Sequence, residues 1–465
     1  MPFRPVRPGI QRLSLRRKKL QKARTQGRSI TLVTILMMLA GTPNRAQNTP
    51  GTASVTDSPT DTGRTIEDLN LIGAETVMPP FAESPLDLNS GFRRALLDEG
   101  IALRGLLQAT YAQNTLQAPV PADQQTYVGE YPFEAGMTNW TFTADLRQLH
   151  LQHTQFYICG VWNWVSWNPA GPKAFQIYGL YLYKAFANRR VEIKAGYIGN
   201  NLEVIGLTVG GSTATGAQGV YAVLPYEVGL SYFPMTTPSF NLRLSGPKHT
   251  YVKAVAQRSL DPKGGPTEVE RNHTGFRFIP QGDKLLLFGE AGYIRTASAT
   301  VYDAWFRAGY MHNSTSDTNL ATGKAESGNH AAFVLMDYQL WKPDSIQHGH
   351  GLYLGGTAMT ADSRFDPYDS YYELRLYQKA PFRSRPFDMA SLVAYYSGHS
   401  SDLTNSLVAS GETVWRNSAS VTGSYALRVH PGQYMSIGLS YVHGPAITPQ
   451  VSDALNFSTS YSIFF

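Results

Sequence analysis

The sequence is short of the features that mark most enzymes and most helical membrane proteins. It has a single cysteine, Cys159, so no disulfide can form within the chain and no zinc site built on cysteine pairs is available. No run of 18 apolar residues occurs, so no helix is fit to cross a bilayer. There is no glycine-rich phosphate loop, no nucleophile elbow and no recognisable triad spacing, so the enzyme classes those motifs mark find no support. Cys159 lies in a strand-like run, QFYICGVWNWV, and reads as a small packed apolar residue rather than a nucleophile. His348 and His350 lie two apart in QHGHG with no third ligand indicated, and read as solvated turn residues. No cofactor or metal is expected.

Acid is missing from the first 46 residues, and that absence decides how the net charge is read. Residues 1–29 carry ten Arg or Lys, and an apolar run of 11 residues, ITLVTILMMLA, follows over Ile30–Ala40. Small or polar residues then lead to Ala46. This is the pattern of a cleaved secretory signal over 1–46, and its apolar run is too short to span a bilayer. The signal holds 11 of the 40 basic residues and none of the 34 acidic ones, so the remainder has 29 basic against 34 acidic residues, a net of −5. The basic balance belongs to the leader and gives no reason to expect a nucleic-acid partner. Residues 47–84, rich in Thr, Ser, Pro, Asp and Gly, read as a flexible linker before a folded unit over 85–465.

What the chain does have is alternation. Its last stretch, DALNFSTSYSIFF, puts Leu455, Phe457, Thr459, Tyr461, Ile463 and Phe465 in one row and Ala454, Asn456, Ser458, Ser460, Ser462 and Phe464 in the other. A mostly apolar row beside a mostly small, polar one is a strand with lipid on one side and water on the other. Eighteen strand-like runs follow one another from 101–113 to 454–465, including 226–233 and 272–279. Before them, Ser90–Gly100 reads as a short amphipathic helix on the periplasmic side. Ser90 caps it, Gly100 ends it, and Phe92, Leu96 and Leu97 oppose Arg93, Arg94, Asp98 and Glu99. Tight connections at Ala187–Arg190, Gly246–Lys248 and Val429–Gln433 contrast with long polar ones at Asn114–Met137, Leu260–Arg271 and Asn313–His330. Short turns at one end and long loops at the other fit a membrane barrel. The Gly-rich stretch Asn200–Gly219 reads equally as an inward-folded constriction loop or a surface loop. Aromatics make up 12 %, with 27 Tyr, which suits interfacial girdles as well as strand preference.

In order, these elements resemble the carbohydrate-selective porin family of Gram-negative outer membranes, the OprB type. GFRRALLDEGIALRGLLQATYAQN (91–114) is similar to its opening helix and first strand. QIYGLYLYKAFANRRVEIKAGYIGNN (176–201) is similar to its aromatic hairpin. AFVLMDYQLWKPDSIQHGHGLYLGGTAMTAD (332–362) is similar to a further hairpin, with Gln339 standing one place from the family's glutamine. The opening segment keeps the family pattern only in reduced form, as Asn89–Arg93. The resemblance implies an all-β fold, a transmembrane antiparallel β-barrel of about 16 strands, where the runs alone would allow 18. It further implies an outer-membrane location among lipid and lipopolysaccharide, recognition of the terminal Phe465 by the barrel-assembly machinery, and a monomer or homotrimer. The function implied is passive diffusion of small hydrophilic solutes, above all carbohydrates. A diverged channel for another solute, tied to exopolysaccharide metabolism, and a lipid-modifying barrel enzyme are the alternatives.

A charge inside a membrane-depth strand must point to the lumen, because an Arg or Lys facing lipid at midplane costs about 2–4 kcal/mol. That rule nominates Asp145 and Arg147, Glu192 and Lys194, Arg243, Arg277, Glu290, Arg307, and Glu373 and Arg375 as pore-lining residues that bind solute. Trp305, with Trp162, Trp164 and Trp341, is a candidate for stacking against sugar faces or for a girdle.

Overall fold

The computed structural model describes residues 84–86, 91–167, 174–204, 224–232, 234–278, 282–343 and 348–465. The expected leader, nearly all of the expected linker and the expected cap Ser90 lie outside the described residues. The strands are Ile101–Asn114 (β1), Phe133–Asp145 (β2), Thr154–Val165 (β3), Ala174–Phe186 (β4), Val191–Ile198 (β5), Thr237–Ser245 (β6), Thr250–Arg258 (β7) and Leu285–Arg295 (β8). They continue as Ala304–Thr318 (β9), Ala325–Trp341 (β10), Gly351–Ala361 (β11), Tyr368–Lys379 (β12), Met389–His399 (β13), Asn417–His430 (β14), Gln433–His443 (β15) and Ala454–Phe464 (β16).

Each strand pairs with its sequence neighbours, and β1 pairs antiparallel with β16, so the 16 strands form one closed barrel. Closure removes every sheet edge, the condition for placing strands in hydrocarbon. At the seam Leu106 stands opposite Phe464 and Asn114 opposite Asn456. Beyond it, Phe465 N donates to Gly105 O at 2.9 Å and Gly105 N donates to Phe465 O at 2.6 Å. A Cβ at Gly105 would fall 2.0 Å from the Phe465 ring, so the ring occupies the space a side chain there would need.

Side chains sort by the period of two. On β12 the outward row is Tyr372, Leu374 and Leu376, all exposed, and the inward row is Tyr371, Glu373, Arg375 and Tyr377, all buried. On β16 the even-numbered polar row turns inward, as the alternation requires. A bulge on β4 at Tyr178 lets Tyr178 and Tyr181, three residues apart, both turn inward.

Two of the eighteen expected strands are not strands. Within 226–233, residues Leu224–Glu227 form a short helix (α2), and Leu224, Val228 and Leu230 are fully buried. The segment sits inside the barrel and is buried on more than one face, with Glu227 as its one charge. Within 272–279, residues 272–278 form a loop after a helix at Gly265–Arg271 (α3). Phe276 packs edge-on against Tyr197, whose hydroxyl donates to Phe276 O at 2.7 Å. Its Phe276, Arg277 and Phe278 alternate in chemistry only, since all three are exposed. The expected long loop Asn313–His330 is instead the extended tip of β9 and β10, closed by a turn in which Asn319 Oδ1 accepts from Ala321 N and Thr322 N, both at 3.0 Å.

The N-terminal helix spans Phe92–Asp98 (α1) and precedes β1 at the short-turn end. Gly100 ends it at φ 77, as expected, but its faces differ from the expected ones. Arg93 is buried with Leu97, one turn on, while Phe92 is 66 % exposed. Arg93 Nη1 donates to Ser84 Oγ at 2.9 Å, which brings the chain before the helix against this buried face. A further helix, Ser401–Ala409 (α4), lies between β13 and β14 and is capped by Ser400, whose hydroxyl accepts from Leu403 N at 3.2 Å.

Candidate functional site

The inward rows of β5 to β12 carry charge on nearly every strand, and these charges join into a belt. On β5, Glu192 accepts from Tyr183 OH at 2.5 Å and pairs with Arg189 at 3.0 Å, while Arg243 on β6 lies 3.8 Å from its other oxygen. Arg243 stands over the Tyr251 ring at 4.7 Å. Tyr251 on β7 donates to Glu290 Oε1 on β8 at 2.8 Å and accepts from Trp305 Nε1 on β9 at 2.9 Å. Lys253 lies 3.7 Å from Glu290. Arg307 stacks on Trp305 at 3.6 Å from the ring centre. On β12, Arg375 bonds Thr357 Oγ1 at 2.8 Å, pairs with Asp337 of β10 at 3.2 Å and pairs also with Glu373. Tyr377 donates to Asp337 at 3.1 Å, and Tyr371 donates to Glu373. Gly355 on β11 makes this possible: a Cβ there would fall 2.6 Å from Arg375 Nε and 2.7 Å from Asp337 Oδ1.

The opposite arc is built differently. The inward rows of β14 to β16 are dominated by Ser and Thr, linked across strands by Ser420 to Ser440 at 2.9 Å, Thr422 to Ser440 at 2.7 Å and Ser436 to Ser460 at 2.6 Å. These hydroxyls largely satisfy one another and leave a neutral wall.

The connection between β5 and β6 enters the lumen at both described ends. Glu203 pairs with Lys194, and its carbonyl accepts from Lys253 Nζ at 2.9 Å. On the return, Asn313 Nδ2 donates to Val228 O at 2.6 Å and Gln257 Nε2 to Gly229 O at 3.2 Å. Asn200 donates to Gln257 Oε1 at 2.7 Å and to Ser239 Oγ at 2.9 Å. Of the two readings of Asn200–Gly219, the flanking residues 200–204 and 224–232 fit the inward one; residues 205–219 lie outside the described residues.

Of the nominated residues, Glu192, Lys194, Arg243, Glu290, Trp305, Arg307, Glu373 and Arg375 face the lumen. Asp145 and Arg147 do not line it at depth. β2 ends at Asp145, Arg147 follows on a one-turn helix, and the two pair with each other at the short-turn rim. Arg277 lies on the exposed loop after α3. Trp162 and Trp341, about half exposed at 49 % and 50 %, stand on the outer face, as does Trp164. Cys159 is buried and accepts from Thr141 Oγ1 at 3.4 Å. Lys253 and Asp337 were missed, although both obey the same rule, in YVKAV and LMDYQ. Glu203 has no sequence signal, because it lies in a loop.

The sequence pattern of the carbohydrate-selective porin, OprB family, matches residues 167–465. The chain belongs to this family. Among solved structures, the high-pH form of Pseudomonas putida OprB is similar with a TM-score of 0.67 at 15 % identity, covering 81 % of this chain and 96 % of that one. The low-pH form of the same protein gives 0.52 at 13 %, covering 82 % and 98 %. At these identities the structures share the fold. No curated protein matches in sequence. The hairpin that carries the family's glutamine uses Gln339 as a clasp: its Nε2 donates to His348 O and His350 O, both at 2.8 Å, and its Oε1 accepts from Asp303 N at 3.0 Å. The chain is thus an outer-membrane porin of the carbohydrate-selective family.

Proposed function

We propose that the charged belt is the solute-binding part of this porin and that its solutes are small neutral carbohydrates. One observation carries the reading: the belt nearly balances its charge. Lys194, Arg243, Lys253, Arg307 and Arg375, with Arg189 in the turn before β5, stand against Glu192, Glu203, Glu290, Asp337 and Glu373, each side chain within reach of an opposite partner or an aromatic ring. A nearly balanced belt sets up little net preference for either ion sign, while its charged donors and acceptors replace water around hydroxyl groups. Trp305, already covered by Arg307, offers only its remaining edge to a sugar.

In this reading residues 1–46 direct export and are removed, 47–84 tether the barrel, the short-turn end with α1 faces the periplasm, and Phe465 serves both the seam and delivery to the assembly machinery. No reaction is catalysed. The test is swelling of liposomes carrying the purified protein in iso-osmotic solutions of sugars of increasing size. Swelling with monosaccharides that falls away with size supports the reading. Folded protein that admits ions but no sugar would discard the carbohydrate part, leaving a diverged channel for another solute.

A further inference from the structure

Three elements meet at the long-loop end: α2 of the lumen loop, the tip of β10 and the turn before β12. Asn329 Nδ2 donates to Asp366 Oδ1 at 2.8 Å, and Tyr368 N donates to Glu227 Oε2 at 3.4 Å. Three enclosed oxygens then have no hydrogen-bond donor: Glu227 Oε1, Asp366 Oδ2 and Asn329 Oδ1. Asp366 is 1 % exposed and Asn329 2 %. Burial, and then the Glu227 carboxylate, push the Asp366 carboxyl well above its ordinary range. Burial likewise raises Glu227, with Asp317 and Asp369 adding to it. The surrounding charge is acidic, with Asp317, Asp362 and Asp369 nearby, and Arg364 is engaged by Asp362 through Nε at 3.0 Å and Nη2 at 2.7 Å. Acceptors without donors suit a hard cation, which takes oxygen ligands and prefers carboxylates.

We propose that Glu227, Asp366 and Asn329 together bind a divalent cation of the calcium type, which pins α2, and with it the lumen loop, to the outer rim. No group of three or more His, Cys, Asp or Glu side chains is placed to hold a metal among the described residues. The donor set here is two carboxylates and an amide oxygen, short of a full calcium shell, so the affinity is modest. The loop carries Glu203 and the buried segment from Leu224 to Leu230, so the ion steadies the segment that packs within the lumen.

The test uses the full purified protein in detergent, stripped with chelator and titrated with calcium chloride at neutral pH, followed by calorimetry and thermal unfolding. One ion per chain and a midpoint raised by several degrees are expected, with both effects lost in a Glu227→Gln/Asp366→Asn double variant. Asn329→Asp separates ligation from structure, because it adds a carboxylate: calcium binding tightens if Asn329 is a ligand, whereas a merely structural role predicts no gain. Calcium that neither binds nor shifts the midpoint would overturn the proposal. A midpoint that instead rises on acidification and is indifferent to calcium would do the same. Both carboxyls are raised, so a pair held by protons alone gains stability as pH falls through their folded values and loses it as pH rises.

Discussion

The barrel wall has two arcs made from the same strand geometry and opposite chemistry. From β5 to β12 the inward row holds long charged side chains that meet only because each finds a partner across a strand or two. From β14 to β16 the inward row holds short hydroxyls that bond at once to the neighbouring strand. The charged arc is therefore a network, in which removing one member strands others, while the hydroxyl arc is a set of nearly independent pairs. The lumen loop docks where it can find charge: Glu203 is held by Lys194 and Lys253.

The largest break in this contrast comes from Arg375→Ala. It leaves Glu373 and Asp337 buried without their cation, and loss of one member of a buried ion pair costs about 3–5 kcal/mol. The heat-induced mobility shift of the folded barrel on gels should move to clearly lower temperature, and the channel should turn cation-selective in reversal-potential measurements. Next is a pair of glycine substitutions. Gly355→Ala puts a methyl against Arg375 and Asp337 and should cost about 1–3 kcal/mol. Gly423→Ala, on the outward row of β14, meets nothing within 4 Å and, as the uncrowded control, should stay within about 0.5 kcal/mol of the parent. Equal effects at the two sites would show that Gly355 is not crowded by the Arg375–Asp337 pair. Smallest of the lumen changes is Ser460→Ala, which deletes one hydroxyl pair with Ser436, a net of about 1 kcal/mol, and should leave conductance and ion selectivity unchanged.

The contrast also explains what the sequence could reveal. Alternation placed sixteen strands and most of the charged arc, since a charge flanked by apolar neighbours has only one side to face in a membrane. It misplaced 226–233 and 272–279 because the period of two reports a dry side and a wet side, not a hydrogen-bonded partner. Leu224 to Leu230 is dry because it packs against apolar residues of the inner wall, and Phe276, Arg277 and Phe278 alternate in chemistry although all three are exposed in a loop. The same ambiguity put Asp145 and Arg147 in one strand when the strand stops between them. Within the arcs, the partnerships were not legible: nothing in the sequence ties Tyr251 to Trp305, 54 residues away, or Lys253 to a loop carbonyl. Those contacts follow from barrel closure and register, which fix neighbours across strands rather than along the chain.

The central claim, that the charged arc is where sugar is held, is tested most directly by single-channel conductance in a planar bilayer, with sugars added to the parent protein and to Arg307→Ala. Arg307 carries charged donors of the kind that replace water around a sugar hydroxyl. The account predicts that sugar lowers the parent's conductance in a saturable way and that the variant, equally open to ions, needs severalfold more sugar for the same block. Sugar that leaves the parent's conductance untouched, or blocks parent and variant alike, would contradict it.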